Sequence, residues 1–419
     1  MKRKFTSLPA DTPTEEIQRR LTPKLHYIPL VDGQNRPVDY ACAHRFRRIQ
    51  VAQPLLTGNE LAYVTDCIQT NWISSAGKYV QRFEQMFQEY CGVPHALAVA
   101  NGTVALHLAL DALGIKAGDE VIVPDFTFAA SINSVLYTGA TPVLVDVLPG
   151  NWTMDPEAVK KAITPRTKAI MPVHLYGYPC HMDELRALAD RHGLFLVEDC
   201  AEALGSRYKD RPVGSFGEAN TFSFYGNKTI TTGEGGMITF TDAKAYERAA
   251  ILRDHGMSKQ RRYWHDHVGY NYRLTNLQAA VGVAQMERID FLVAAKRRLG
   301  EIYTRELSEL KGLVPPPRSP DVVNSYWLFT MLATDECGVA RDDLIAKLLL
   351  NGIETRPVFF PLHQMPPYQK YAPKGGCPVT DRVSSQGLSL PSAVSLTDAE
   401  IESVCSSLKS ILGRRNLFS

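Results

Sequence analysis

One lysine, Lys228, stands where an apolar stretch changes into a segment of small polar residues, SFYGNKTITTGEGG. The run Ala219–Phe224 is apolar enough to form a buried strand, and Lys228 follows Gly226 by two positions. A lysine at such a strand-to-loop turn projects into a partly desolvated cleft, where burial lowers its pKa and makes the amine nucleophilic. This pattern predicts a covalent cofactor site. The alternative is a surface loop rich in Thr and Gly that carries a solvated lysine.

Two carboxylates end another apolar run, LFLVED, at Glu198 and Asp199. A carboxylate after four apolar residues is costly to bury unless it meets a positive partner. A protonated ring nitrogen of a cofactor is such a partner, and Asp199 would keep it protonated so that the ring can accept electrons. The alternative is that Asp199 caps the helical turn that follows.

The tripeptide Asn101-Gly102-Thr103 follows the strand-like run ALAVA and opens a predicted helix. The first N–H groups of a helix and its positive dipole end attract anions, phosphate in particular. Ser223, on the strand that leads to the lysine, could bring a hydroxyl to the same anion. Phe128, in VPDFTFAAS, could lie flat against a cofactor ring or be a core aromatic. A simple helix start after a turn is the alternative for the tripeptide.

Short apolar runs alternate with segments of helical period from about Gln53 onward, which is typical of a mostly parallel sheet covered by helices. Loops at one edge of such a sheet converge and collect ligands. The predicted strands are Ala96–Val99, Glu120–Val123, Pro142–Asp146, Ala169–Val173, Leu194–Glu198, Ala219–Phe224 and Met237–Phe240. The predicted helices between them are Thr103–Leu113, Ala129–Tyr137, Pro156–Ala162, Met182–Arg191 and Ala243–Arg253.

The length of 419 residues predicts two packed domains, because a single core usually stops growing at ~250–300 residues. One long helix is predicted from near Asn276 to just before Gly312, and it could bridge the domains. After PPPRSP the pattern changes to a smaller α+β unit. The first 48 residues lack clear periodicity and are expected to wrap the surface or a partner subunit. The predicted divisions are an extension over 1–50, a large domain over 51–311 and a small domain over 312–419.

The charge is nearly balanced, with 46 Lys+Arg against 44 Asp+Glu, which gives no electrostatic argument for nucleic acid or an anionic membrane. Eight scattered cysteines without a C-x-x-C pair indicate reduced thiols and a cytoplasmic protein. No apolar run reaches the ~18 residues of a membrane span, and the basic start is not followed by the apolar stretch of a signal peptide.

Two other site types are disfavoured by spacing. His265-Asp266-His267 could bind a metal ion, but a third ligand is not nearby, so a polar loop is favoured and no metal is expected. A dinucleotide-binding oxidoreductase needs G-x-G-x-x-G directly after the first strand. The glycines of GEGG follow Lys228 instead, which argues against that class.

Five segments resemble, in the right order, the DegT/DnrJ/EryC1/StrS family of sugar aminotransferases: NGTVALHLAL, VPDFTFAAS, VEDCAEALGS, SFYGNKTITTGEGGM and GYNYRLTNLQAA. The resemblance runs from about Gln53 to beyond Tyr368. It implies the α/β scaffold of fold-type-I aminotransferases, with a mostly parallel seven-stranded sheet in a large domain and a smaller α+β C-terminal domain. It also implies pyridoxal 5′-phosphate (PLP) as cofactor.

The resemblance assigns roles to individual residues. Lys228 would bind the cofactor covalently and move protons, Asp199 would pair with its ring nitrogen, and Glu202 would lie near its 3-hydroxyl group. Asn271 would reach the phosphate from the neighbouring subunit, which implies a homodimer with shared active sites. The implied cofactor-binding residues are Gly102, Thr103, Phe128, Asp199, Glu202, Ser223, Lys228 and Asn271.

Within the family, LTGNELAYVTDCIQTNWISSAGKYV and GIETRPVFFPLHQMPPY are similar to enzymes that aminate a GDP-linked 4-keto-6-deoxy sugar with L-glutamate as donor. Such products enter O-antigen lipopolysaccharide, other surface glycans or antibiotic sugars. The chain departs from this pattern in its extra first 50 residues and in PCHMDEL around Cys180-His181. The implied substrate contacts are Trp72, Ser74, Ser75, His174, Arg356 and His363, each with packing or capping as the alternative.

Other members of the family leave alternatives open. The acceptor could be a dTDP- or UDP-linked keto sugar, aminated at C3 or C4. The related sugar 3-dehydratases carry histidine in place of the cofactor lysine, so Lys228 argues against that reaction. A non-catalytic PLP-binding regulator is disfavoured because lysine, carboxylate and phosphate-binding residues occur together.

Overall fold

The computed structural model describes residues 6–22, 25, 27–42 and 48–413. Its strands are β1 Leu8–Pro9, β2 Tyr27–Val31, β3 Pro37–Cys42, β4 His95–Val99, β5 Glu120–Pro124, β6 Thr141–Val145, β7 Thr167–Ile170, β8 Phe195–Asp199, β9 Arg207–Tyr208, β10 Arg211–Pro212, β11 Ala219–Ser223, β12 Gly236–Phe240, β13 Leu313–Val314, β14 Val322–Val323, β15 Phe329–Ala333, β16 Arg356–Pro357 and β17 Gly387–Leu390.

The α-helices are α1 Thr14–Arg20, α2 Glu60–Gln69, α3 Lys78–Cys91, α4 Gly102–Ala112, α5 Ala129–Tyr137, α6 Pro156–Ala162, α7 Met182–His192, α8 Ala243–Arg253, α9 Asn276–Met286, α10 Ile289–Leu307, α11 Arg341–Leu350, α12 Pro378–Gln386 and α13 Asp398–Gly413. Short 3-10 turns lie at Leu175–Gly177, Asp335–Cys337, Leu362–Gln364 and Gln369–Tyr371. Among the described residues, none of the helices combines the length and apolar character needed to cross a membrane.

The central sheet has seven strands, as predicted, and their order is β4-β12-β11-β8-β7-β5-β6. Only β12 runs antiparallel to its neighbours in this sheet. Some predicted strand ends match and others are displaced by up to three residues, most at β7, which ends at Ile170 while Val173 makes an isolated bridge to Asp199. The mostly parallel arrangement is confirmed.

The register of this sheet brings the chemically interesting residues to one edge. Asp199 on β8 is paired with Thr221 on β11, and Ser223 on β11 is paired with Gly236 on β12. Gly236 is paired in turn with Val99 on β4. Because β4, β8 and β11 point the same way, their carboxyl ends and the loops that follow lie side by side.

Side chains alternate between the two faces of the sheet, and each face has its own core. On β4, Leu97 and Val99 join the core under α4, α5 and α8. Ala96 and Ala98 face the opposite core, where the rings of Phe83 and other buried aromatics pack. Burial on both faces explains why these strands are nearly continuous apolar runs in the sequence.

The single long helix predicted from Asn276 is wrong, because the chain breaks at Glu287 and Arg288 into α9 and α10. The Glu287 carboxylate accepts hydrogen bonds from Tyr63 and Arg82, and Arg288 donates to Thr57. These distant contacts override the helical pattern of the local sequence. Helix α10 then packs into the core of the C-terminal sheet β13-β15-β17-β16.

The N-terminal segment, for which the sequence shows no clear periodicity, contains a three-stranded sheet in the order β1-β2-β3. A small core of its own holds this sheet against α1, with Ile17 and Leu21 of the helix segment facing Ile28 and Leu30 of β2. The apolar alternation in YIPLV is short, and two of its five positions are fully buried. Residues 1–5, 23, 24, 26 and 43–47 lie outside the described part of the chain.

Candidate active site

A cavity of about 710 Å³ lies at the carboxyl edge of the central sheet, and residues of β16 and β17 also line it. It brings together residues that are up to 288 positions apart in the chain, from Asn101 to Ser389. The predicted site residues that line it are Gly102, Thr103, Phe128, Asp199, Glu202, Ser223, Lys228 and Arg356.

Lys228 lies in the turn that follows β11, where its backbone N–H donates to the Tyr225 carbonyl at 2.9 Å. Its side chain is 14% exposed, and Nζ lies 3.9 Å from Oε1 of Glu202. The amine also lies 3.9 Å from the centre of the Trp327 ring. Burial lowers the pKa of Lys228, and the nearby carboxylates of Glu202 and Asp199 oppose this effect. The amine is therefore suited to nucleophilic attack.

Asp199 ends β8 with its carboxylate buried. The Ser131 hydroxyl donates to Oδ2 at 2.8 Å, and the backbone N–H of Ala201 donates to Oδ1 at 3.1 Å. Burial raises the pKa of Asp199, while these two hydrogen bonds and the charge of Lys228 lower it. A buried carboxylate oriented in this way is suited to pair with a positively charged ring nitrogen.

Glu202 is buried beside the lysine and accepts the backbone N–H of Tyr176 at 2.9 Å. Burial raises the pKa of Glu202 to about 7, although the charge of Lys228 lowers it. Tyr176 holds this position in a left-handed conformation, with φ of 52°. Glu202 can therefore exchange a proton near neutral pH, next to the lysine amine.

The amino end of α4 forms a cradle for an anion at the cavity wall. The Asn101 side chain caps the helix by accepting the N–H of Val104 at 3.0 Å, so the N–H groups of Gly102 and Thr103 have no acceptor within the helix. A Cβ atom on Gly102 would lie 2.8 Å from the Cβ of Ser223, which is too close. Glycine thus allows the helix start to approach the β11 hydroxyl, and the cradle suits a phosphate group.

Phe128 presents its ring to the cavity and is 59% exposed. Its ring centre lies 5.8 Å from the ring centre of Phe359, which also lines the cavity. A ring exposed at this point can lie against a planar cofactor. Its exposure argues against the alternative that Phe128 is a core aromatic. The phosphate cradle, the buried carboxylate, the ring and the lysine amine together fit PLP.

Arg356 is the member of the predicted substrate set that lines the cavity. It lies on the short strand β16, where it is paired with Ser389 of β17. A guanidinium group on this wall is suited to an anionic group of a substrate, because it can bind a carboxylate or phosphate through two parallel hydrogen bonds.

His174 is fully buried and is not among the residues that line the cavity. Its Nδ1 accepts the backbone N–H of Cys180 at 3.1 Å, so the ring proton lies on Nε2, 2.8 Å from Oε2 of Glu198. Glu198 also accepts N–H groups of the loop at Gly214 and Phe216. This arrangement gives no support to a substrate contact by His174 and indicates a structural role.

His363 has a similar structural environment. Its Nδ1 lies 2.7 Å from Oδ2 of the buried Asp125, and its backbone N–H donates to Oδ1 at 2.8 Å. Both Asp125 and His363 lie close to Cys377, and His174 and Glu198 lie close to Cys200, so each trio could in principle hold a metal ion. In each trio the His ring already lies at hydrogen-bond distance from the carboxylate.

The remaining predicted residues lie outside the cavity of their own chain. Trp72 is 58% exposed, and its carbonyl accepts the side-chain amide of Asn276. The Ser74 carbonyl accepts the backbone N–H of Asn276, and Ser75 follows in the same loop. Asn271, which is expected to reach a neighbouring subunit, is exposed on the surface.

Sequence reasoning missed several residues of the site. Ser131 reaches Asp199 from α5, and Trp327 contributes the ring beside Lys228. Trp327 lies shortly before the strand β15. The sequence of that strand, FTMLA, indicates a buried core strand and gives no sign of a site. Tyr225, Asn227 and Phe359 also line the cavity.

Comparison with known proteins agrees with this geometry. Residues 54–409 match the model of the DegT/DnrJ/EryC1/StrS aminotransferase family. The chain is 47% identical to the GDP-perosamine synthase of Vibrio cholerae, over 86% of this chain and 98% of the relative. It is 48% identical to the GDP-perosamine synthase of Caulobacter vibrioides, over 87% of this chain and 98% of the relative.

Solved structures give the same result. The chain is similar to S. venezuelae DesV in complex with a ketimine intermediate, with a TM-score of 0.79 and 39% identity, covering 84% of this chain and 94% of that one. Aminotransferases of the matched family depend on PLP, and structural neighbours include a PLP form. The fold is that of the fold-type-I PLP enzymes, and the protein is an aminotransferase. The chain belongs to the DegT/DnrJ/EryC1/StrS aminotransferase family.

Proposed function

We propose that this aminotransferase moves an amino group from L-glutamate to GDP-4-keto-6-deoxy-D-mannose and so forms GDP-perosamine. The lysine amine of Lys228, flanked in one cavity by the carboxylates of Asp199 and Glu202, is the observation that carries the chemistry. The choice of sugar nucleotide is supported by the identity to GDP-perosamine synthases over nearly their whole length. O-antigen lipopolysaccharide is the expected destination of the product.

When bound, PLP supplies an electron sink that stabilises negative charge at the carbon losing its proton. Lys228 would hold the cofactor covalently in the resting enzyme. Once glutamate has taken its place, the free amine of Lys228 would accept the proton from the α-carbon of the donor. Because burial lowers the pKa of Lys228, a larger unprotonated fraction is available near neutral pH. In the second half-reaction Lys228 returns a proton to the sugar carbon.

The other residues orient and tune the site. Asp199 pairs with the ring nitrogen, and its hydrogen bonds from Ser131 and Ala201 fix the carboxylate for that contact. Glu202 lies close enough to exchange a proton with the lysine amine or with the 3-hydroxyl group of the cofactor. Gly102, Thr103 and Ser223 would hold the phosphate, and Phe128 would lie against the ring.

The active unit is proposed to be a cytoplasmic homodimer in which the partner subunit's Asn271 completes the phosphate site. This is consistent with the exposure of Asn271 on its own chain. Three other predicted substrate residues are exposed or half-exposed and do not line the cavity of their own chain: Trp72, Ser74 and Ser75. They would contact a part of the sugar nucleotide that extends out of this cavity, or the substrate of a neighbouring subunit. Arg356 binds an anionic group of the substrate from the small-domain side.

The sugar assignment is tested with purified protein, PLP and L-glutamate, by measuring 2-oxoglutarate release. GDP-4-keto-6-deoxy-D-mannose is compared with dTDP- and UDP-linked 4-keto-6-deoxy and 3-keto-6-deoxy sugars. The proposal predicts a kcat/KM for the GDP sugar at least ~100-fold above the others, which is the discrimination expected if side chains hydrogen-bond to the guanine base. A preference for a dTDP- or UDP-linked sugar would overturn the sugar assignment and leave the aminotransferase chemistry intact.

A further inference from the structure

Lys296, in the middle of α10, is a buried lysine in an unusual environment. It is 3% exposed, and its Nζ donates to the backbone carbonyl of Trp327 at 3.0 Å and to that of Ser392 at 2.5 Å. Within the described residues, no carboxylate lies at ion-pair distance from this amine. Burying an amine without a counter-charge is unfavourable for stability, and these two hydrogen bonds offset part of the cost.

The two carbonyls that Lys296 holds belong to the same corner of the small domain. Trp327 lies just before β15 and Ser392 just after β17, two strands that are paired with each other. The Ser392 hydroxyl also accepts the backbone N–H of Phe329 at 2.8 Å. Trp327 follows Tyr326, which has a left-handed φ of 49°. Lys296 therefore fixes a bend that local backbone preference does not favour.

The side chain of Trp327 lines the cavity, where its ring faces Lys228. Its indole N–H donates to the Asn227 carbonyl at 2.8 Å, and its ring is stacked on Tyr176 with an interplanar angle of 4°. The ring centre lies 3.9 Å from Nζ of Lys228. An aromatic face at this distance stabilises the protonated amine and limits where it can point.

We propose that Lys296 is a positioning residue for Lys228, which acts by fixing Trp327 as a platform beneath the Lys228 amine. The path has three steps: the Lys296 amine holds the Trp327 carbonyl, the Asn227 carbonyl holds the indole N–H, and the indole ring faces Lys228. The proposal rests on the assignment of Lys228 as the cofactor lysine. A purely structural Lys296 would affect folding stability without changing the ionisation of Lys228.

The test is Lys296→Met in the PLP-loaded enzyme, compared with Lys347→Met, which removes an exposed lysine from α11. The readout is the pH midpoint at which the visible absorbance of the lysine-bound cofactor titrates. A displaced Trp327 ring changes the stabilisation of the charged form, so we expect the midpoint to move by at least ~0.5 pH unit. We also expect kcat to fall about 10-fold while KM for glutamate changes less than ~3-fold. Lys347→Met should match the wild type.

Two further variants keep the test decisive. Lys296→Arg retains donors for the two carbonyls and should return the midpoint toward the wild-type value. If Lys296→Met does not fold, Lys296→Gln takes its place, because a Gln amide retains a shorter donor. A folded variant with a midpoint within ~0.2 pH unit of the wild type would overturn the inference. Borohydride reduction of the wild type separates the two claims, since a label outside Lys228 would also overturn the proposed site.

Discussion

The Nζ atom of Lys228 lies 3.9 Å from Oε1 of Glu202, and both side chains are largely buried in the same corner of the cavity. Burial lowers the pKa of the amine and raises the pKa of the carboxyl to about 7, so their proton affinities approach each other. Each charge partly offsets the effect of burial on the other. A pair tuned in this way can exchange a proton near neutral pH.

Glu202→Gln should lower the pKa of Lys228 further, because the variant removes the carboxylate that raises it. The Gln side-chain oxygen can still accept the N–H of Tyr176, so the fold should be kept. We expect the basic ionisation seen in the pH titration of the bound cofactor to move to lower pH, with kcat reduced about 10- to 100-fold. A midpoint that rises or stays fixed contradicts this coupling. Glu309→Gln, at an exposed position, is the control.

Gly102→Ala should weaken PLP binding, because the new Cβ would meet the Cβ of Ser223 at 2.8 Å and push the phosphate-binding groups apart. The clash should also cost the apo protein some stability, although the higher helix propensity of Ala relative to Gly offsets part of this loss. We expect the Kd for PLP to rise at least ~10-fold, measured by absorbance titration. Gly150→Ala, where a Cβ meets nothing within 4 Å, is the matched control. Equal affinity in both variants would argue against the cradle.

Ser131→Ala should raise the pKa of Asp199, because the Ser131 hydroxyl bond stabilises the charged carboxylate. A larger fraction of Asp199 is then protonated at any given acidic pH, so the acidic limb of the kcat profile should move to higher pH. The expected loss of kcat at neutral pH is about 10-fold. Ser134→Ala, which removes a buried hydroxyl of the same helix that bonds the Ser131 carbonyl, should leave the limb in place. A shift to lower pH would refute the role of Ser131.

Lys296 should make stability depend on pH with a definite sign. Burial lowers the pKa of Lys296 to about 7 in the folded protein, against ~10.4 in the unfolded chain. Between these values the unfolded state binds more protons, so stability rises with pH. The free energy of unfolding of the wild type, minus that of Lys296→Met, should rise by up to about 4 kcal/mol from pH 7 to pH 10. Urea unfolding at several pH values measures it, and a flat or falling difference contradicts the burial argument.

His174→Gln separates the structural interpretation of His174 from a substrate contact. Glu198 would keep its backbone donors at Gly214 and Phe216 but lose the buried ring, so we expect a loss of about 1–3 kcal/mol in stability. KM for the sugar nucleotide should stay within ~2-fold of the wild type, because His174 does not line the cavity. A large rise in KM with unchanged stability would restore the substrate contact.

Local sequence patterns predicted the central sheet, and most of the residues proposed to bind the cofactor line one cavity, because strand ends are local features. Apolar runs mark β8 and β11, and Asp199 and Lys228 stand at or just past their ends. Contacts made over long sequence separations were missed. Ser131 meets Asp199 across 68 positions, and Trp327 meets Asn227 across 100. The break at Glu287 was missed for the same reason.

The central claim is that Lys228 binds the cofactor. The most direct test is borohydride reduction of the PLP-loaded enzyme, followed by peptide mass analysis, in the wild type and in Lys228→Ala. The account predicts one phosphopyridoxyl label on the peptide that contains Lys228, and loss of the label together with the visible absorbance band in Lys228→Ala. A label on another lysine, or an absorbance change with glutamate that persists in Lys228→Ala, would contradict it.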